Sequence, residues 1–99
     1  MIIIEKIRFS KNDLVAYQGI SQDKNPVHET GVVYGIQLMA RIEGYLKEWL
    51  NLNEVTSFEY HLLQPLIINQ AASLVIATDG NFELFYGVKC LGKGKINGK

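Results

Sequence analysis

The sequence is poor in cysteine, in proline and in long hydrophobic runs, with one cysteine and two prolines in 99 residues. A single cysteine, Cys90, excludes an intrachain disulfide, and no Cys/His spacing of the zinc-binding type is present, so we expect no metal site. The apolar start at residues 1–4 ends at Glu5, far below the roughly 18 residues that a membrane span needs. It also lacks the plan of a signal peptide. We therefore expect a cytoplasmic protein.

An excess of charge of one sign is also missing. Ten basic side chains balance ten acidic ones, and no stretch of the sequence collects Lys or Arg. Proteins that bind nucleic acids or anionic membranes normally present a basic patch. We therefore expect neither nucleic acid nor a membrane as a partner.

What is present is the composition of a small globular domain. The chain is 47% apolar and 20% charged, which excludes disorder. Its length makes one domain, residues 1–99, and a chain of this size removes only about 60 to 65% of its unfolded surface from water. Because that core is small, we predict a homodimer.

The first twenty residues predict a strand followed by a short helix. Residues 2–9 alternate as a strand with one apolar face, formed by Ile3, Ile7 and Phe9. Ser10 then suits the N-cap of a helix over residues 11–20, with Asp13 as its capping-box partner three residues on. This short helix leads into the stretch discussed below.

The longest element is a helix predicted over residues 35–50. Its apolar side chains recur at spacings of three and four and form one stripe: Leu38, Met39, Ile42, Tyr45, Leu46 and Trp49. So apolar a face must be covered by a sheet. Gly44, which lowers helix stability, is predicted to mark a close approach of this helix to a strand.

The rest of the chain predicts strands, at residues 57–63, 72–77 and 82–91. Asp79-Gly80-Asn81 is typical of a hairpin turn, because Asp-Gly suits positive φ values. The glycine-rich residues 92–98 lack the spacing of a phosphate-binding loop and predict a final hairpin instead. One long helix with a run of strands favours an α+β fold with that helix on one antiparallel sheet.

Between the two helices lies the most informative stretch, Ser-Gln-Asp-Lys-Asn-Pro-Val-His at residues 21–28. Pro26 disfavours helix at Asn25, so the stretch is predicted to be an ordered turn. Such a turn can bring the Asp23 carboxylate and the His28 imidazole to face one water or one substrate carbon. A paired acid and base is the chemistry that it indicates.

The pattern Asp-x-Asn-Pro-x-His resembles the signature of the MaoC-like hydratases, the hotdog-fold family that includes (R)-specific enoyl-CoA hydratases and related 3-hydroxyacyl dehydratases. Asp23, Asn25, Pro26 and His28 match it residue by residue, whereas Gln22 stands where the family usually has glycine. The resemblance implies that Asp23 and His28 are catalytic. It also implies an antiparallel sheet wrapped around one long central helix, in a single domain.

The resemblance implies the substrate as well: a 2-enoyl or (R)-3-hydroxyacyl thioester of coenzyme A or acyl carrier protein, with no separate cofactor. Removal of the carbon-2 proton needs a base and an oxyanion site together. The backbone N–H groups of Tyr34, Gly35 and Ile36 are the natural oxyanion donors, because a helix N-terminus presents free donors and positive potential. Asn25 is predicted to hold the turn or the water. The sequence does not decide which of Asp23 and His28 moves which proton.

Two alternatives remain open at this point. The same fold serves acyl-CoA thioesterases, in which a carboxylate activates water to attack the thioester carbonyl. The segment between His28 and the long helix is also much shorter than in the family. A non-catalytic hotdog subunit or acyl-CoA binder would tolerate that shortening.

Overall fold

The computed structural model describes residues 2–13, 15–16, 33, 35–77 and 79–99. Its elements are β1 (Ile2–Ile7), a central helix (Gly35–Trp49), β2 (Val55–Leu62), β3 (Ala72–Ile76), β4 (Asn81–Tyr86) and β5 (Lys89–Gly98). The five strands form one sheet in the order β1-β3-β4-β5-β2, and each neighbouring pair is antiparallel. The predicted α+β class with one antiparallel sheet is therefore confirmed.

The central helix covers one face of the sheet, as its apolar stripe predicts. Its fully buried side chains are Leu38, Ile42 and Leu46, and they join a core built from the inner face of β3, β4 and β5: Ala72, Leu74, Ile76, Phe82, Leu84, Leu91 and Ile96. Trp49, at the end of the stripe, stays 49% exposed. The helix ends there, one residue before the predicted boundary.

The prediction for Gly44 is wrong. This residue is exposed, and a Cβ added to it would have no atom of the described residues within 4 Å beyond its own helix and neighbours. Gly44 lies on the solvent side of the helix, and none of the five described strands approaches it.

A β-bulge in β1 corrects the predicted face of this strand. Ile3 lies opposite Val75, whereas Glu5 lies opposite Leu74, so Ile4 is an extra residue on β1. One extra residue reverses the alternation of faces. Ile3 is consequently 59% exposed, while Ile7 beyond the bulge is fully buried.

The capping box predicted after β1 is present. The backbone N–H of Ser10 donates to Asp13 Oδ2 at 2.7 Å, and the backbone N–H of Asp13 donates to Ser10 Oγ at 3.2 Å. Residues 11–13 and 15–16 are helical. The other residues of the predicted 11–20 helix lie outside the described part of the chain.

The C-terminal part differs from the prediction. Instead of one strand over 82–91 and a glycine-rich hairpin, β4 turns at Gly87 and Val88 into one continuous strand, β5. Gly87 has a φ of 62°, which glycine adopts without steric cost. The Asp79–Asn81 turn, by contrast, is found where predicted. Gly80 has a φ of 87°, but Asp79 is not among the described residues with a positive φ, so the turn is not the type I′ turn that Asp-Gly favours.

The glycines of β5 make room for aromatic rings rather than for a turn. Gly94 pairs with Tyr60 on one side and with Phe82 on the other. The rings of Tyr60 and Phe58 stack on Phe82, with centroid distances of 6.1 and 5.6 Å. A Cβ on Gly94 would collide with the backbone carbonyl of Glu59 and with the Phe82 ring. Neighbouring strands thus supply the side chains that this part of β5 lacks.

Candidate functional site

The predicted site residues divide into two groups. Asp23, Asn25, His28 and Tyr34 lie outside the described residues, so their roles stay predictions. Gly35 and Ile36 are described and form the first turn of the central helix. The structure therefore defines the helix end at which the predicted turn arrives, and the contacts on both sides of that turn.

None of the described residues covers the start of the central helix. A Cβ on Gly35 would have no atom of the described residues within 4 Å beyond its chain neighbours and helix backbone, and Ile36 is 72% exposed. No acidic side chain occupies the first turn. The backbone N–H groups there lack intrahelical partners and carry the positive end of the helix dipole. They can donate hydrogen bonds to a negatively polarised oxygen.

Two hydrogen bonds fix the flanks of the predicted catalytic turn. The backbone N–H of Val33 donates to the Leu66 carbonyl at 2.9 Å, which ties the approach to the helix to the segment after β2. The Gln37 side chain donates from Nε2 to the Asp13 carbonyl at 3.1 Å. Residues before and after the Asp23–His28 stretch are thus attached to the same helix end.

Arg41 adds a third attachment that sequence reasoning missed. Its guanidinium lies 4.0 Å above the centroid of the buried Phe9 ring, in cation–π geometry. Its Nη1 also donates to the Arg8 carbonyl at 3.1 Å. Arg41 lies off the apolar stripe, and its spacing alone gave no signal that it covers the chain between β1 and the lead-in helix.

The Asp13 carboxylate is engaged in capping. The hydrogen bond from the Ser10 backbone N–H, reinforced by the Ser10 hydroxyl at 3.0 Å, holds the pKa of Asp13 below its usual value. Burial opposes this shift, and Arg41 adds a smaller favourable charge interaction. Asp13 therefore stays ionised at neutral pH and positions the helix rather than moving protons.

Tyr60 lies in β2, and the sequence gave no sign of a role for it beyond the strand. Its ring lies on the inner face of the sheet against Phe82, and its Oη is buried without a hydrogen-bond partner among the described residues. Burial, followed by the nearby Cys90, raises the pKa of Tyr60 to about 12.

The larger described groove lies on the other face of the sheet. It has a volume of about 460 Å³ and is lined mainly by charged side chains of β2, β4 and β5, among them Glu59, His61, Glu83, Lys93 and Lys95. Charges of both signs alternate across the strands, and His61 Nε2 lies 3.8 Å from Glu59 Oε2. Gly35 and Ile36, the two predicted site residues that the structure describes, do not line this groove.

The described residues contain no group of three or more His, Cys, Asp or Glu side chains that could hold a metal ion. None of their helices is long and apolar enough to cross a membrane.

No protein-family model matches the chain, and no curated protein matches it either. Solved structures do match it. An (R)-hydratase from A. caviae involved in PHA biosynthesis is similar over 97% of this chain and 94% of its own, with 15% identity and a TM-score of 0.64. A chain of the ChsH1–ChsH2 complex from Mycobacterium tuberculosis is similar over 100% and 99%, with 10% identity and a TM-score of 0.67.

A third match is a probable thioesterase from Bartonella henselae, similar over 93% of this chain and 82% of its own, with 18% identity and a TM-score of 0.57. These similarities show that the chain has a hotdog fold, and they confirm at the level of fold the predicted resemblance to the MaoC-like proteins. Because the matched structures include both a hydratase and a thioesterase, the fold by itself leaves the chemistry open.

Proposed function

We propose that this protein is a hydratase or dehydratase acting on 2-enoyl and (R)-3-hydroxyacyl thioesters, with Asp23 and His28 as its acid and base. One observation carries the proposal. The Asp-x-Asn-Pro-x-His motif ends at His28, and six residues separate it from a helix that begins at Gly35, in a fold shared with an (R)-hydratase.

The helix N-terminus accounts for activation of the substrate. A proton on carbon 2 of an acyl thioester becomes removable only when the thioester oxygen can take negative charge. The backbone N–H groups of Tyr34, Gly35 and Ile36 would donate hydrogen bonds to that oxygen, since a helix start offers free donors. Gly35, lacking a side chain, lets the thioester approach the backbone.

Asp23 and His28 account for the proton transfers. In hydration, the hydroxyl of water adds to carbon 3 while its remaining proton is carried by the pair to carbon 2; dehydration runs the same steps in reverse. His28 suits proton transfer, because imidazole is in general the side chain that changes charge near neutral pH. Asp23 orients the imidazole or activates the water, and Asn25 holds the turn or that water.

The acyl carrier would be coenzyme A or acyl carrier protein, so no further cofactor or metal takes part. We place the reaction in the cytoplasm and the active protein in a homodimer.

A thioesterase is the second candidate, because the structures that match include a probable thioesterase. In that case the carboxylate would direct water to the thioester carbonyl, and coenzyme A thiol would be released. A non-catalytic acyl-CoA binder or partner subunit is the third possibility, and it would bind acyl-CoA without any turnover.

The deciding experiment is hydration of crotonyl-CoA, followed by loss of enoyl thioester absorbance. We expect activity in the wild-type protein and its loss in Asp23→Asn and in His28→Ala, with folding intact. Two matched controls, Asp79→Asn in the β3–β4 turn and His61→Ala on the outer groove, should stay active.

Unchanged activity in both site variants would contradict the assignment. Release of coenzyme A thiol in step with the loss of absorbance would identify the thioesterase, because hydration leaves the thioester bond intact. Thermal stabilisation by acyl-CoA with no turnover would identify the binder.

A further inference from the structure

The Tyr60 hydroxyl lacks the partner that a buried phenol normally has. Its Oη is shielded from solvent and makes no hydrogen bond to the described residues. An unsatisfied buried hydroxyl destabilises a fold, so tyrosine hydroxyls inside proteins are nearly always paired. The position of Tyr60 in the fold indicates what kind of group could accept a hydrogen bond from this hydroxyl.

Tyr60 lies on the inner face of the sheet, toward the end at which the central helix begins. β2 ends two residues later, at Leu62, and the following segment accepts the Val33 hydrogen bond through Leu66. The C-terminal end of the helix meets the opposite end of the sheet, where the Asn53 N–H donates to the Lys99 carbonyl at 2.7 Å. Tyr60 thus belongs to the half of the core nearest Gly35.

The residues around the Tyr60 hydroxyl leave room for that group and hold the ring in place. Oη occupies the position that a side chain at Gly92 would fill, and the ring is held parallel to Phe82 with an interplanar angle of 5°. With a pKa raised to about 12, the phenol keeps its proton at neutral pH. It is therefore available as a donor whose orientation is fixed by packing.

We propose that the Tyr60 hydroxyl donates a hydrogen bond to an oxygen of the acyl thioester, which makes Tyr60 a further substrate-contacting residue. This inference rests on the proposed function, because it takes acyl thioesters as the ligand class. Tyr60 binds and orients the thioester, and the proton transfers stay with Asp23 and His28.

Tyr60→Phe tests the proposal, because it removes the hydroxyl and keeps the stacked ring. In the ligand-free protein the variant removes an unsatisfied group, so Tm should rise by about 4 °C or more. Affinity for butyryl-CoA, measured by titration calorimetry, should fall about tenfold, and so should kcat/KM for crotonyl-CoA, as expected for one lost hydrogen bond. Tyr45→Phe, the same change in the groove between β1 and the helix, should leave butyryl-CoA affinity and kcat/KM unchanged.

Three results would overturn the inference. A lower Tm would mean that the hydroxyl is paired within the chain, and unchanged affinity would mean that it touches no ligand, whatever the Tm. A wild-type protein that does not bind butyryl-CoA would exclude the contact as well. If the wild type binds butyryl-CoA but does not hydrate crotonyl-CoA, the hydratase proposal fails, while weaker binding by Tyr60→Phe would still support the contact.

Discussion

Asp13 shows how a single carboxylate can be committed to structure beside a predicted active site. Its oxygens accept from the backbone and the hydroxyl of Ser10, and Gln37 donates to its carbonyl. The lead-in helix and the first turn of the central helix are therefore connected through one residue. The capping box could be predicted from the sequence because both partners lie three residues apart, whereas the contact with Gln37 spans 24 residues and left no local signal.

The pH dependence of stability should report this capping box. Because hydrogen bonds from Ser10 lower the pKa of Asp13 in the folded state, the unfolded chain binds this proton at a higher pH than the folded chain does. The contribution of Asp13 is thus fully present above its usual pKa near 3.9 and is lost as pH falls through the lowered value. Thermal unfolding from pH 7 to pH 2 should show this loss in the wild type.

Asp13→Asn provides the comparison for that titration. The wild type and the variant should differ most at neutral pH and should converge in acid. A difference in stability that is constant from pH 7 to pH 2 would contradict the assignment. Ser10→Ala, which removes the cap without removing the carboxylate, should cost about 1 kcal/mol at neutral pH.

Among the elements, the central helix was the most predictable and the last strand the least. A period of 3.6 over fifteen residues is a strong local signal, and the helix lies at Gly35–Trp49 with the predicted face inward. The local preference of the glycines in β5 favoured a turn, but in the structure they leave room for aromatic rings on β2 and β4. What a glycine faces is decided by residues distant in sequence, so Gly44 and Gly94 were both misjudged.

Gly44 and Gly94 should consequently respond to alanine in opposite directions. Gly44→Ala should stabilise the protein by about 1 kcal/mol, because alanine is the better helix former and nothing described obstructs its methyl group. Gly94→Ala should cost about 3 kcal/mol or more, since its methyl group would collide with the Glu59 carbonyl and the Phe82 ring. Urea unfolding of both variants measures the two effects.

Gly87→Ala is the control for Gly94→Ala, because it also replaces a glycine but its methyl group would meet no atom of the described residues within 4 Å beyond its chain neighbours. The φ of 62° at Gly87 is unfavourable for alanine, so a moderate loss of about 1 kcal/mol is expected. Equal effects of alanine at Gly94 and Gly87 would contradict the close approach of β5 to the aromatic rings.

At the scale of the whole molecule, the edges of the sheet bear on whether two chains associate. Within the described residues, β1 and β2 have a neighbour on one side only, and unpaired edges favour association. Several large apolar side chains are also exposed near the start of the central helix and the adjoining strand ends: Ile36, Leu62, Leu63, Tyr86 and Val88. Both observations support the proposed homodimer.

The mass in solution tests that state directly. Light scattering at micromolar concentration should give twice the 11.2 kDa mass of the chain. Leu62→Lys and Leu63→Lys should shift the mass toward the monomer, whereas Lys93→Glu, on the outer groove, should not. A monomer mass for the wild type would contradict the proposal.

The overall fold could be predicted because local signals and a family resemblance agreed on one helix against an antiparallel sheet. The site could be predicted only in part. The Asp23–His28 motif is a local pattern, and the helix start follows from the position of Gly35. The attachments made by Arg41 and Gln37 depend on contacts across the fold and had to be observed.

The pairing of β2 with β5 also bears on how fast the chain folds. Asn97 Nδ2 donates to Ser57 Oγ at 2.9 Å across 40 residues of sequence, whereas the β3–β4 and β4–β5 hairpins close over a few residues. Distant pairings form slowly because the loop between them must be ordered first. We expect the hairpins to form early. The two distant pairings, β2 with β5 and the still more distant β1 with β3, where Ile7 lies opposite Ala72, should set the time in which the sheet is completed.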